Sequence, residues 1–339
     1  MTDFTQHETQ LLTRLQRDLP RVPRPFVEIG DELGLSEAEV LMTTQALLDD
    51  GFIRELSGLF DTRGLGYDSV LVAADYLTER LDCAAAIISN HPGISHNYAR
   101  EGHAFNLWFT LALPPDSRLG LQRTLAILAR VTGARRMIPL PALRTFKLTV
   151  NLDLGVESVP TVTQAAVQAT ALPGPEDITL IRLLQEPFPI APEPYTVLAE
   201  RAGMSPDACF DGVQQLYERG YLRRLAAVLR HRKVGFTANG MGTWDVPDDR
   251  VEEVGKHFAQ AKEVSHCYER PRAEGWPYNL FTMVHARTRE ECFAILTRLA
   301  TEVGLPIPSA LYSTKEYKKA RVKYYADALR EWEAAHGDW

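Results

Sequence analysis

Two short stretches of this 339-residue chain hold the side chains best suited to chemistry, and they are near copies. The first reads Ile94-Ser95-His96-Asn97-Tyr98-Ala99-Arg100, followed by Asn106-Leu107-Trp108-Phe109. The second reads Val264-Ser265-His266-Cys267-Tyr268-Glu269-Arg270, followed by Asn279-Leu280-Phe281-Thr282. The period of two in a strand predicts one face bearing Ile94, His96, Tyr98 and Arg100, and another bearing Val264, His266, Tyr268 and Arg270. Histidine titrates near neutrality and can carry a proton. Arginine grips carboxylates through paired N–H groups. A lone strand histidine or arginine is more often structural; the recurrence of the whole set argues for a site.

The next strand of each copy can be divided in the same way. Phe105, Leu107, Phe109 and Leu111 suit packing against helices, whereas Asn106, Trp108, Thr110 and Ala112 share the opposite face. In the second copy Tyr278, Leu280, Thr282 and Val284 oppose Asn279, Phe281, Met283 and His285. If no bulge inverts the parity between strands, the His/Tyr/Arg and Asn/aromatic sets lie together on the sheet face away from the helices. Two such faces would enclose a flat, aromatic-lined, cationic space, suited to a planar polyanion.

The elements around these stretches are duplicated too. Pro25-Phe26 aligns with Pro194-Tyr195, Gly34 with Gly203, Ser36 with Ser205, Gly51 with Gly220 and His96 with His266, at near-constant offset. Each repeat opens with helical segments (8–18 and 177–186), then short helices (26–33 and 195–202). The glycine turns follow, and Ser36 or Ser205 caps the next helix. With the apolar hairpin expected after it, this predicts a winged helix-turn-helix. A βαββαβ order follows in each repeat, which is ferredoxin-like. The predicted class is α+β, with boundaries at 1–64 and 65–152 for the first pair of domains. A linker at 153–176 contains one weak helix near 164–170. The second pair spans 177–233 and 234–316, and an exposed helix is expected over 317–339.

Composition removes several functions. The net charge of -7 offers no overall field for nucleic acid. The candidate recognition helix at 36–50 has no Lys or Arg but carries Glu37, Glu39, Asp49 and Asp50. Its counterpart at 205–219 has only Arg219 against Asp207, Asp211 and Glu218. DNA affinity rests on neutralising phosphates, so nucleic acid is disfavoured as a partner. The basic second wing (Arg223, Arg224, Arg230, His231, Arg232, Lys233) is the one contrary feature. Cys83, Cys209, Cys267 and Cys292 show no metal-ligand spacing. The polar start, 1–10, and the absence of a membrane-length apolar run predict a cytoplasmic setting with no membrane partner.

The architecture resembles the leucine-responsive/asparagine regulator family. The motifs are more specific. The segment 95–110 is similar to one subunit type of the siroheme decarboxylases, and 265–285 to the partner type, as if two subunits were fused. That resemblance implies conversion of siroheme to 12,18-didecarboxysiroheme, with two acetate carboxyls lost as carbon dioxide, in haem d1 or alternative haem synthesis. It implies no cofactor and no protein-bound metal, since the iron enters with the substrate. On this reading His96 or His266 is the general acid, assisted by Tyr98 or Tyr268. Arg100 and Arg270 anchor carboxylates, Asn106 and Asn279 orient one, and Trp108 and Phe281 contact the macrocycle. His103 and His285 are candidates for proton transfer or an axial contact to iron. Lys147, Lys315 and Arg272 reach carboxylates from the rim. A homo-oligomer is compatible with this but not required, because the duplication supplies both faces. A ligand-responsive transcriptional regulator and a non-catalytic tetrapyrrole carrier are the competing functions.

Overall fold

The computed structural model describes residues 4–148, 169–229 and 238–337. Most of the expected linker, its weak helix included, and the basic residues 230–233 lie outside them. The first repeat runs α1 (Gln6–Leu15), α2 (Pro25–Leu33), α3 (Glu37–Asp49), β1 (Ile53–Phe60), β2 (Asp68–Asp75), α4 (Leu81–Ser89), β3 (Ile94–Glu101), β4 (Leu107–Leu113), α5 (Gly120–Thr132), β5 (Arg136–Pro141) and β6 (Arg144–Leu148). The second runs α6 (Pro175–Leu184), α7 (Pro194–Ala202), α8 (Pro206–Glu218), β7 (Leu222–Leu229), β8 (Ala238–Trp244), α9 (Val251–Gln260), β9 (Val264–Glu269), β10 (Leu280–Ala286), α10 (Arg289–Val303), β11 (Ser309–Lys319) and α11 (Asp327–His336).

The helix-turn-helix segments of both repeats, with residues 323–326, form one compact unit. Their boundaries follow from local chemistry. Ser36 accepts from the Glu39 amide while the Glu39 carboxylate takes the Ser36 amide, so α3 starts with a capping box. Gly34 and Gly203 end α2 and α7 at φ of 70° and 68°, which a side chain would strain. The strand after each recognition helix departs from expectation. Instead of folding into its own hairpin, β1 pairs antiparallel with β7 of the other repeat.

The second unit contains both sheet regions. Its strand order is β5-β2-β4-β3-β11-β8-β10-β9-β6. The strands at the two ends of that order, β5 and β6, are consecutive segments of the chain joined at residues 142–143, so the sheet closes on itself. The closure is reciprocal. The last strand of repeat two, β11, pairs first with its own β8 and then with β3 of repeat one. The last strand of repeat one splits into β5, on its own β2, and β6, on β9 of repeat two. Consequently 317–319 is strand within the span expected to be an exposed helix, and the terminal helix begins only at Asp327. Buried Glu333 ties that helix down by accepting hydrogen bonds from Ser117 Oγ and the Arg118 amide.

Two apolar cores lie under the helices: Val70, Val72, Leu107, Phe109 and Leu111 with α4 and α5, and Val264, Leu280 and Val284 with α9 and α10. A third core has no helix in it. Ala73, Phe105, Trp108 and Leu140 of repeat one meet Met241, Trp276, Phe281 and Leu311 of repeat two across the opposite sheet face. Burying those aromatic surfaces holds the two halves together. Phe105, expected with the helix-facing residues, belongs to this inner core because it lies just before β4 begins.

Candidate active site

Strand register puts the two motif sets on the inner face. His96 lies opposite Thr110 and Tyr98 opposite Trp108, while His266 lies opposite Met283 and Tyr268 opposite Phe281. Directly opposed residues of antiparallel strands share a face, so the parity needed to combine these sets holds. Asn97 and Cys267, one residue out of phase, point the other way: Asn97 donates to the Ala85 carbonyl of α4 and Cys267 is buried against α9.

One detail of the face is different from strict alternation. A β-bulge falls between Ile94 and His96 and another between Val264 and His266, as read from their partner strands. Each bulge absorbs the serine of the motif as an extra residue. Ile94 and Val264 are thereby turned into the helix-side cores instead of joining the histidines. The serine hydroxyls are turned onto the histidines, with Ser95 Oγ 2.9 Å from His96 Nδ1 and Ser265 Oγ 2.7 Å from His266 Nδ1. Strict period two puts Ser95 and Ser265 out of phase with the histidines, and the bulge brings their hydroxyls to the same side.

The arginines end the row. Arg100 and Arg270 are each 9% exposed. Arg100 Nη1 donates to Leu311 O at 3.3 Å, and Arg270 Nη1 donates to Leu140 O, so each reaches the final strand of the other repeat. The Arg100 guanidinium lies 5.6 Å from the Tyr98 ring centre, and that of Arg270 lies 4.9 Å from Tyr268 and 5.6 Å from Phe281. Among the described residues no carboxylate pairs with Arg100, and its Nε is buried without a hydrogen-bond partner. Burial pulls its pKa down to about 10, partly countered by Tyr98. A cation taken out of water without a counter-ion is costly, which is the condition an anionic ligand relieves.

The histidines are close enough to influence one another. Burial lowers His266 to a pKa of about 4, and neighbouring His285 and His96 push in the same direction. His266 is therefore neutral at pH 7 without ligand. His285 stands behind it, with Nε2 2.7 Å from Ser265 Oγ and Nδ1 2.6 Å from Asn239 Oδ1. His103 packs instead with the inner aromatics, its ring 4.8 Å from Trp276 and its Nδ1 accepting from the Phe105 amide. Burial lowers its pKa, and Arg136 adds to this.

Several expected ligand contacts are committed elsewhere. Asn106 takes the Tyr76 amide and donates to the Tyr76 carbonyl, and Asn279 does the same with Val246. Each amide clamps the end of the first sheet strand of its repeat. Arg272 is engaged by Asp245 and Asp248 and by the Val246 and Pro277 carbonyls. Lys315 pairs with Asp82 next to α4, and Lys147 donates to the Ala261 carbonyl after α9. Both lysines thus lie on the helix side, away from the histidines. The counterpart of Lys147 is Lys318, which donates to the Ser89 carbonyl at the end of α4; Lys315 is not equivalent. Trp108 is 1% exposed with its indole N–H on Phe105 O, and Phe281 is 3% exposed. Their rings belong to the inner core, together with Trp276, which sits 5.0 Å from Trp108 and was not picked out from the sequence.

A duplicated helix-turn-helix and a closed double sheet with an inward His/Tyr/Arg face define the class. An AsnC-like ligand-binding domain model matches residues 64–147 and 233–318, and a siroheme decarboxylase NirDL-like helix-turn-helix model matches 8–54 and 177–223. The chain is 37% identical over 327 residues to the siroheme decarboxylase of Hydrogenobacter thermophilus, covering 95% of this chain and 96% of that one. The crystal structure of the siroheme decarboxylase NirDL aligns with a TM-score of 0.81 at 33% identity, over 98% of each chain. A crystal structure of NirDL in complex with an iron-uroporphyrin III analogue aligns equally well, at 0.81 and 32%, over 98% of this chain and 99% of that one. The chain belongs to the siroheme decarboxylase family. Among the described residues no helix is long and apolar enough to cross a membrane.

Proposed function

We propose that this protein is a siroheme decarboxylase, which removes two acetate carboxyls from siroheme to give 12,18-didecarboxysiroheme in haem d1 or alternative haem synthesis. The observation that carries this reading is the buried Arg100 guanidinium, which has no carboxylate partner among the described residues, on an inner face that also holds Arg270 and two histidines. Siroheme is flat and bears eight carboxylates, so it supplies the missing anions and spans such a face. Arg100 and Arg270 anchor carboxylates that are not lost.

Each of the two decarboxylations breaks one bond between a methylene and its carboxyl carbon. Carbon dioxide leaves, and the electron pair remains on the methylene, delocalised into the macrocycle. A proton from a histidine Nε2 then converts that carbon to a methyl group. Tyr98 and Tyr268 flank the histidines at ring separations of 6.2 Å and 6.1 Å and assist in placing the acetate arm. Substrate carboxylates beside His266 favour its charged form, so the proton enters with the ligand. The iron belongs to the substrate and no other cofactor is invoked.

The test is incubation of the full chain with siroheme under anaerobic conditions, followed by mass spectrometry. The expected product is lighter by two carbon dioxides. Siroheme bound but unchanged would support a carrier instead, and sequence-selective, salt-dependent DNA binding without conversion would support a regulator.

A further inference from the structure

The two histidines are not supported alike. Behind His266 runs a chain of three contacts: His266 Nδ1 to Ser265 Oγ at 2.7 Å, Ser265 Oγ to His285 Nε2 at 2.7 Å, and His285 Nδ1 to Asn239 Oδ1 at 2.6 Å. In the first copy the cross-strand pair Asn239/His285 is replaced by Ser69/Ala112. From that position the Ala112 methyl offers Ser95 neither a donor nor an acceptor.

The direction of the chain follows from its last member. A carbonyl oxygen can only accept, so Asn239 Oδ1 requires the hydrogen of neutral His285 to be on Nδ1. His285 Nε2 then presents a lone pair, and the Ser265 hydroxyl, which also lies 3.3 Å from the Met283 carbonyl, gives its one hydrogen to the nearer His285 Nε2 at 2.7 Å. With its hydrogen so directed, Ser265 Oγ accepts the hydrogen on His266 Nδ1. His266 is thereby fixed in one tautomer, and Nε2 becomes the nitrogen that gains and gives the working proton. The bulge at Ser265 is what allows this, because a serine on the regular pleat would face α9.

We propose that His285, acting through Ser265, is the positioning residue that holds His266 in the tautomer able to give its Nε2 proton to the substrate carbon. The proposal rests on the decarboxylase reading above. In the step itself, the carbon–carboxyl bond breaks and carbon dioxide departs. The Nε2 proton of the His266 imidazolium passes to the methylene carbon. His266 returns to the neutral form with hydrogen still on Nδ1, and a proton from solvent reloads Nε2 before the second carboxyl is lost. His285 does not touch the substrate; it holds the donor in the competent tautomer.

The experiment compares wild type with Ser265→Ala, His285→Ala and His285→Gln in the full chain. Three quantities are read: siroheme affinity by absorbance titration, kcat by mass spectrometry, and the His266 tautomer by 15N-histidine NMR. The proposal expects His285→Ala and Ser265→Ala to bind siroheme as wild type does, with kcat roughly 10- to 100-fold lower, the range typical when a partner orienting a functional histidine is removed. Their His266 signal should shift from the Nδ1–H form to a tautomer mixture. His285→Gln keeps an acceptor for the Ser265 hydroxyl and should recover most of both. Wild-type kcat and an unchanged tautomer in the alanine variants overturn the proposal. So does a lost affinity with normal kcat, which would make His285 a ligand-binding residue. Absence of conversion by the wild-type protein would instead defeat the decarboxylase reading, so the two failures are distinguishable.

Discussion

The two copies of the Ser-His-x-Tyr-x-Arg strand agree in backbone and differ in what surrounds it. Both carry the bulge, the histidine on the inner face and the arginine that reaches across to the other repeat. Copy one has Asn97, Trp108 and Ala112 where copy two has Cys267, Phe281 and His285. Asn97 and Cys267 only alter how the strand sits on its helix, and Trp108 and Phe281 fill the same inner core. The exchange of alanine for histidine alters the chemistry, because it changes which polar groups stand behind the catalytic candidate. Duplication thus preserved the backbone of the motif while the residue opposite its serine changed from alanine to histidine.

The comparison is most easily broken with the histidines themselves. His266→Ala is expected to lower kcat by about 10²- to 10⁴-fold, the usual contribution of a general acid, with His96→Ala costing less. Equal losses, measured by product formation, would mean that the copies share the chemistry. Removing the unpaired cation is next. Arg100→Ala should weaken siroheme binding by about 1.5–3 kcal/mol, the scale of a hydrogen bond to a charged group. In a binding titration this is roughly a 10- to 150-fold rise in Kd. Because leaving Arg100 buried without an anion is itself unfavourable, the same variant should not lose thermal stability when no ligand is present.

Binding should also be coupled to protons. His266 has a pKa of about 4 in the free protein, and carboxylates placed beside it raise that value. Siroheme binding near pH 7 should therefore take up a proton, visible as a dependence of the calorimetric enthalpy on the ionisation enthalpy of the buffer. His266→Ala should take up less. The smallest effect concerns stability. His266 at about 4 and buried His91 at about 3 are both below the unfolded value near 6.5. Between those limits the unfolded chain binds more protons, so stability is full above about pH 6.5 and declines as pH falls towards 4. Urea midpoints measured across that range test the sign.

Much of this organisation was readable from residue order. The duplication, the capped helices and the shared face of His96, Tyr98 and Trp108 follow from offsets, Ser36/Glu39 spacing and period-two parity. What was not readable depended on partners distant in sequence. A bulge has no local signature in Ile-Ser-His, so period two groups Ile94 with His96, whereas Ile94 lies in the helix-side core. Crossing of the last strands between repeats sets which lysine matches which, and so Lys318 rather than Lys315 answers Lys147. Asn106 and Asn279 have residue types suited to a ligand, yet backbone groups at Tyr76 and Val246 reach them first. His285 was visible as a residue, but its place behind Ser265 arises only when the bulge brings the hydroxyl round.

The most direct test of the account is a structure of the full chain with siroheme bound under anaerobic conditions. The account predicts His266 Nε2 directed at the methylene of an acetate arm, with Arg100 and Arg270 on carboxylates that are retained in the product. A complex with the acetate arms at His96 and with His266 turned away from the macrocycle would contradict it.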